Sequence, residues 1–190
     1  MREFLLDYVS QLQAVLAELD VERLKTLADK LHEARLEGRT VYVIGNGGSA
    51  ATASHFTCDF VKGAHVPSVP RFRMVSLTDN VSMVTAVGND YSYDRVFTEQ
   101  LDGLIQSKDM LLAITASGNS PSILRAVELA KARGAYVVGL IGFGGGKLKA
   151  MCDLDITVSS TNYGPVEDLH LILDHILSQY LRRRAEGTRG

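Results

Sequence analysis

His55 and Asp59 stand four residues apart in ATASHFTCDF. On a helix that spacing puts an imidazole and a carboxylate on one face. Just ahead of them the β-branched run Val41, Tyr42, Val43, Ile44 breaks into Gly45-Asn46-Gly47-Gly48-Ser49. The order reads as strand, tight turn and helix. Glycines let the backbone approach a ligand closely, and the unpaired N–H groups that open the helix favour an anion. A second turn, Thr115-Ala116-Ser117-Gly118-Asn119-Ser120-Pro121-Ser122, leaves another apolar run with hydroxyls at 115, 117 and 120 and a proline suited to a first helical turn. One helix cap needs one hydroxyl; several on one turn suit the acceptor oxygens of a phosphate.

The last helical segment brings Glu167, His170, Asp174 and His175. Glu167 and His175, eight apart, fall about two turns from each other on neighbouring sides of the helix. Two helices that each offer a histidine and a carboxylate enclose a divalent ion in the borderline-soft donor set that zinc accepts, or supply an acid and a base. The competing account of His55 and Asp59 is an exposed helical pair worth a few tenths of a kcal/mol. A phosphate cradle beside ionisable pairs points to chemistry on a phosphorylated small molecule.

Two other glycine patterns read differently. Gly45-Asn46-Gly47-Gly48-Ser49-Ala50 also fits the dinucleotide fingerprint, but the acidic residue that should hold the ribose about twenty positions on is misplaced: the next strand ends at Leu77-Thr78-Asp79. Gly142-Phe143-Gly144-Gly145-Gly146-Lys147 lacks the Ser or Thr that follows lysine in a magnesium-holding nucleotide loop, and reads as a plain strand-to-helix turn.

The elements that position these groups alternate after Gly38. Strands are expected at Val41–Ile44, Phe72–Leu77, Met110–Thr115, Tyr136–Ile141 and Leu154–Val158. Helices are expected near Ala50–Val61, Val81–Val87, Tyr93–Ile105, Ser122–Arg133, Lys147–Met151 and Pro165–Arg184. Alternation of this kind gives an α/β fold, an open parallel sheet with helices on both faces and ligands beyond the C-terminal strand ends. Ahead of it, Leu5, Val9, Leu12, Leu16 and Leu19, then Leu24, Leu27 and Leu31, recur at helical steps with a break near Asp20. Two amphipathic helices precede the sheet, and their apolar faces favour a seam between copies of the chain. His65-Val66-Pro67-Ser68-Val69-Pro70 reads as a loop. The chain divides as one domain: an arm over 1–37, an α/β core over 38–184 and a tail over 185–190.

With 46% hydrophobic residues, 22% charged and a net charge of -2, the composition excludes a disordered chain and a broad nucleic-acid-coating surface. The cluster Arg182, Arg183, Arg184 with Arg189 suits the negative end of a helix. Cys58 and Cys152 are too few for a disulfide framework and too isolated for a cysteine zinc site. Acidic residues interrupt the N-terminal apolar run and no stretch has the length of a membrane span, so a cytoplasmic protein with no membrane or nucleic-acid partner is expected.

Taken together, Gly45-Asn46-Gly47-Gly48-Ser49, His55-Phe56, Val87-Gly88-Asn89-Asp90, Ser117-Gly118-Asn119-Ser120 and a final helix with His170 and His175 resemble the sugar-isomerase (SIS) domain family, and within it the phosphoheptose isomerases. The resemblance spans nearly the whole chain. It implies a three-layer α/β/α sandwich, with a five-stranded parallel sheet and the N-terminal helical arm. It also implies a homotetramer with active sites at subunit contacts, and a zinc ion near the substrate. The implied activity is an aldose-ketose isomerase of heptose biosynthesis that converts sedoheptulose 7-phosphate to D-glycero-D-manno-heptose 7-phosphate through a cis-enediol.

On this resemblance Asn46, Gly47, Gly48 and Ser49 line the substrate, Asn89 and Asp90 lie beside its sugar portion, and Thr115, Ala116, Ser117 and Ser120 take the phosphate. His55, Asp59, Glu167 and His175 become the metal ligands; Asp59 or Glu167 is the base, His175 the acid, and Glu167 also touches substrate. Two positions depart from the family pattern: Asp59 stands for a glutamate and Glu167 for a glutamine. Two carboxylates sharing a small site repel unless a cation compensates, so Glu167 is expected to take over part of the role that the family gives to position 59. The rival expectations are a non-catalytic SIS-domain adaptor, similar to a replication-initiator-associating protein, and an isomerase of another phosphosugar.

Overall fold

Five parallel strands in the order β2-β1-β3-β4-β5 form the centre of a computed structural model that describes residues 1–67 and 69–187. Ser68 of the expected loop, and Arg189 with the rest of 188–190, lie outside the described residues. The strands are β1 (Thr40–Gly45), β2 (Arg73–Ser76), β3 (Met110–Thr115), β4 (Tyr136–Ile141) and β5 (Leu154–Thr157). All pairings are parallel, with Gly45 opposite Ile114 and Thr115 opposite Ile141. The first crossover runs from β1 to β2 and the next returns across β1 to β3. The order therefore reverses between β1 and β3, and a crevice opens beyond their C-terminal ends.

Alternation within the strands separates two cores. Val41 and Val43 of β1 and Met110, Leu112 and Ile114 of β3 pack with α2 (Val21–Leu36), α3 (Gly48–Cys58) and α7 (Tyr163–Gly187). Tyr42, Ile44, Leu111 and Ala113 face the other way, toward α4 (Val81–Asp90), α5 (Thr98–Leu101) and α6 (Pro121–Ala132). This is the three-layer sandwich that the resemblance implies. Central strands buried on both faces require continuous apolar runs, which these strands have.

The arm is two helices, α1 (Arg2–Ala17) and α2, and Asp20 marks the break by accepting N–H bonds from Glu22 and Arg23 at 3.0 Å each. Such a cap stabilises a helix by about 1 kcal/mol. Tyr8 of α1 donates a 2.6 Å hydrogen bond to Asp168 of α7, which pins the arm to the last helix. The outer face of α1 leaves Phe4, Leu5, Leu6 and Val9 exposed.

Three segments differ from the sequence reading. Tyr93–Ile105 is not one helix: a 3-10 turn at Tyr93–Arg95 precedes the short α5. The Lys147–Met151 segment is a 3-10 turn over Leu148–Met151. The last helix runs through Gly187, with Ala185 buried, so the core extends into the first residues of the expected tail. After Cys58, α3 widens into a π turn over Asp59–Gly63, closed by Ala64 N–H donating to the Asp59 carbonyl at 2.7 Å. Such turns recur at functional sites.

Phe56 and Phe60, both fully buried, anchor the inner side of that stretch; Phe60 stacks on Phe56 at 5.7 Å and meets Phe72 edge-on at 5.1 Å. These rings hold the backbone that presents His55 and Asp59 on the other side. Phe60→Ala is expected to cost about 3–5 kcal/mol. A lowered denaturant midpoint with unchanged slope checks this, and an unchanged midpoint contradicts the assigned packing.

Candidate active site

The crevice between β1 and β3 holds a cavity of about 120 Å³ lined by Asn46, Ser49, Ile114, Thr115, Ala116, Ser117, Ser120, Tyr163 and Glu167. Most of the hydroxyls and amides expected to line substrate and phosphate therefore share one wall. Gly45 ends β1 where a Cβ would strike the Ser49 backbone, and Gly47, at φ 57, turns the chain into α3. Gly118, at φ 63, lies so close to the Gly145 carbonyl that no side chain fits between them. The glycine run after β4 is thus a buttress: Leu148 N–H donates to the Gly118 carbonyl at 3.0 Å and Lys147 N–H to Asn119 Oδ1 at 3.1 Å.

The hydroxyls are poised as donors. Thr115 Oγ1 accepts from Gly118 N–H at 3.3 Å and Ser117 Oγ from Asn119 N–H at 3.2 Å, which leaves each O–H free to point at an anion. Ser120 occupies the N-cap of α6, followed by Pro121, yet makes no side-chain capping bond. The capping account of these serines therefore fails at the residue best placed to cap. Asn46 donates to Ser122 Oγ at 3.0 Å and accepts from the Tyr93 hydroxyl at 2.9 Å. Asn89 and Asp90 end α4, exposed and bonded to each other at 2.9 Å; the tie from that side of the crevice to Asn46 is Tyr93. Neither Tyr93 nor Tyr163 was among the residues expected from sequence, where nothing marks them apart from other tyrosines.

One heptad along α3, the ionisable groups converge. His55 Nε2 and His175 Nε2 lie 3.2 Å apart. Asp59 Oδ2 is 3.6 Å from the His55 nitrogen and 3.8 Å from that of His175, and Asp174 Oδ2 is 3.8 Å from His55. The four donor atoms lie within 4.8 Å of one another. His55 and His175 are about half exposed, whereas Asp174 is fully buried and neither of its oxygens has a hydrogen-bond partner. Burial, with the Asp59 charge added, pushes the Asp174 carboxyl up to about 7. Two imidazole nitrogens and two carboxylates facing one point form a donor set that fits zinc.

Glu167, expected among the ligands, is not one of this group. The α-helical rise of about 1.5 Å per residue puts it about 12 Å along the axis from His175. It lies against Gly48, so that a Cβ there would come within 2.5 Å of its carboxylate oxygen. The second carboxylate of the cluster is Asp174. His170 is also apart: burial pushes its pKa down to about 4 and leaves a neutral core imidazole. A larger hollow of about 430 Å³ opens at the opposite strand ends, where Lys30 and Lys131 pair with Glu33 and Asp153 at 2.9 and 2.6 Å. It shares no residue with the crevice.

The reversal of a 2-1-3-4-5 parallel sheet thus sets a cradle of hydroxyl donors next to an imidazole and carboxylate cluster shared by α3, the π turn after it and α7. Residues 5–142 match the family model described as SIS domain, and the chain belongs to that family. It is 34% identical over 181 residues to phosphoheptose isomerase of Trichlorobacter lovleyi, covering 95% of this chain and 91% of the relative. It is 36% identical over 184 residues to the phosphoheptose isomerase of Geobacter sulfurreducens, covering 94% and 97%. The solved phosphoheptose isomerase of Francisella tularensis superposes with a TM-score of 0.88 at 30% identity over 96% of each chain.

Gly118→Ala is expected to destabilise the protein by more than about 1 kcal/mol, because it adds a side chain at positive φ against backbone. Urea unfolding measures this. An unaltered midpoint means the loop relaxes freely and does not hold the hydroxyls in place.

Proposed function

We infer that the protein is an aldose-ketose isomerase that interconverts sedoheptulose 7-phosphate and D-glycero-D-manno-heptose 7-phosphate. The observation that carries this reading is the spacing of two sites along α3. Gly48 at the cradle and His55 at the cluster are seven residues apart, on one face and about 10 Å along the axis. A ligand that meets both is an extended phosphorylated chain. The relatives of this chain that bear the name phosphoheptose isomerase support the same substrate class. An adaptor has no use for a buried carboxylate without a partner.

Thr115, Ser117 and Ser120 hold the phosphate, with the Ala116 backbone beside them, and that remote grip fixes the reacting end against the cluster. Asn46, Gly47, Gly48, Ser49 and Glu167 line the sugar chain, with Asn89 and Asp90 at its outer side. Asp59 removes the proton from the carbon beside the carbonyl. His175 carries protons between the two oxygens of the cis-enediol. His55 and Asp59 hold a divalent ion, of which zinc is the best match, and His175 shares in holding it. When bound, the ion supplies Lewis-acid polarisation of the carbonyl. Both His55 and His175 remain within water's reach, so a substrate entering from the crevice displaces solvent from them.

The exposed apolar face of α1 and a hollow of about 370 Å³ lined by Val21, Leu24, Ala28, Ile176, Leu177 and Tyr180 support assembly into a homotetramer through the helical arm. Among the described residues no helix is long and apolar enough to cross a membrane. Light scattering is expected to give a tetramer, and Val9→Glu a smaller species. A wild-type monomer contradicts the assembly.

Incubation with sedoheptulose 7-phosphate, followed by NMR, is expected to show aldose formation that a chelator abolishes and zinc restores. Asp59→Asn should lower kcat about a hundredfold or more, while Glu167→Gln chiefly raises KM. A comparable loss of kcat in Glu167→Gln moves proton abstraction to that residue. No aldose from a folded, zinc-supplied protein refutes the substrate.

A further inference from the structure

The carboxylate whose surroundings are least accounted for is Asp174. It is fully buried, both oxygens lack hydrogen-bond partners, and Oδ2 faces His55 Nε2 at 3.8 Å across the groove between α3 and α7. An ionised carboxylate in such a place costs several kcal/mol unless a cation matches it. No lysine or arginine forms an ion pair with it among the described residues. The groups that face it are His55 and His175, and Asp59, whose charge adds to the cost.

We propose that Asp174 is a metal ligand of this protein and completes a His55, Asp59, Asp174, His175 donor set supplied by one chain, leaving Glu167 to the substrate. Helix register explains the arrangement. Gly48 faces Glu167, and His55 faces Asp174; each step is seven residues, so α3 and α7 run side by side in the same direction with matched faces. Position 167 is thereby committed to the cradle end, and position 174 reaches the cluster. Asp59 has an arm one methylene shorter than a glutamate, and a carboxylate from the facing helix restores a second oxygen donor at that end. With two imidazoles and two carboxylates the site carries enough negative charge to neutralise a divalent ion, and its nitrogen and oxygen donors suit zinc first among divalent metals.

The ligand assignment takes its catalytic meaning from the isomerase reading, but its test is binding of zinc alone. Wild type, Asp174→Asn and Glu167→Gln are stripped of metal, and zinc affinity is measured by competition with a chromogenic chelator. Thermal unfolding is followed with and without zinc, and circular dichroism verifies each fold. Asp174→Asn is expected to weaken zinc at least about tenfold and to shrink the rise in Tm that zinc gives. Without metal it should be no less stable than wild type, because a buried unmatched charge has been removed. Glu167→Gln should bind zinc as wild type does. Should Asp174→Asn fail to fold, Asp174→Ser tests the same loss of the carboxylate with a smaller side chain. Wild-type zinc affinity in the folded Asp174 variant overturns the proposal, as does a loss confined to Glu167→Gln. Zinc binding with the expected pattern but no isomerisation would leave the ligand set standing and refute only the substrate.

Discussion

The contact between α3 and α7 is the constraint on which the rest depends. Both helices pack on one face of the sheet, through Phe56, Phe60, Leu173 and Leu177 in a shared core. Helices that lie side by side in one direction repeat their facing pairs every seven residues, to within the roughly 20° drift of an α-helix per heptad. One repeat sets Glu167 against Gly48 beside the cradle, and the next sets Asp174 and His175 against His55. The glycine turn beside the cradle and the ionisable cluster are thereby held at a fixed separation by two rigid elements. Rigid placement matters because displacements of about an ångström cost orders of magnitude in rate.

The sheet supplies the other half of the arrangement. Its order reverses between β1 and β3, so the turns after Gly45 and Thr115 flank one crevice. The helix starting from the first turn, with the π turn that ends it, brings His55 and Asp59 to the cluster that α7 completes, and the hydroxyls of the second turn face the same opening. Electrostatics then divide the two ends. Hydroxyls that already accept backbone N–H bonds offer donors at one end, while Asp59 and Asp174 offer carboxylate oxygens beside two imidazoles at the other.

Much of this was legible in the residues, for physical reasons. Strands buried on both faces read as short apolar runs, so β3 and β4 fall at the expected positions, and Asp20 broke the arm where a cap was needed. His55 and His175, 120 positions apart, meet as their motifs foretold. What was not legible came from packing between elements. Spacing on α7 shows that Glu167, Asp174 and His175 are near neighbours, but only the register against α3 decides which carboxylate reaches His55. Tyr163 and Tyr93 join the crevice through tertiary position alone. The run after Tyr93 has the composition of a helix, yet it breaks into a 3-10 turn and a single helical turn.

Zinc-edge anomalous diffraction from crystals holding zinc and sedoheptulose 7-phosphate tests the central claim directly. The account predicts one peak per chain at about 2.0–2.2 Å from nitrogen of His55 and His175 and carboxylate oxygen of Asp59 and Asp174, with the phosphate against Thr115, Ser117 and Ser120. A peak coordinated by Glu167 in place of Asp174, or a phosphate seated at the histidines, would contradict it.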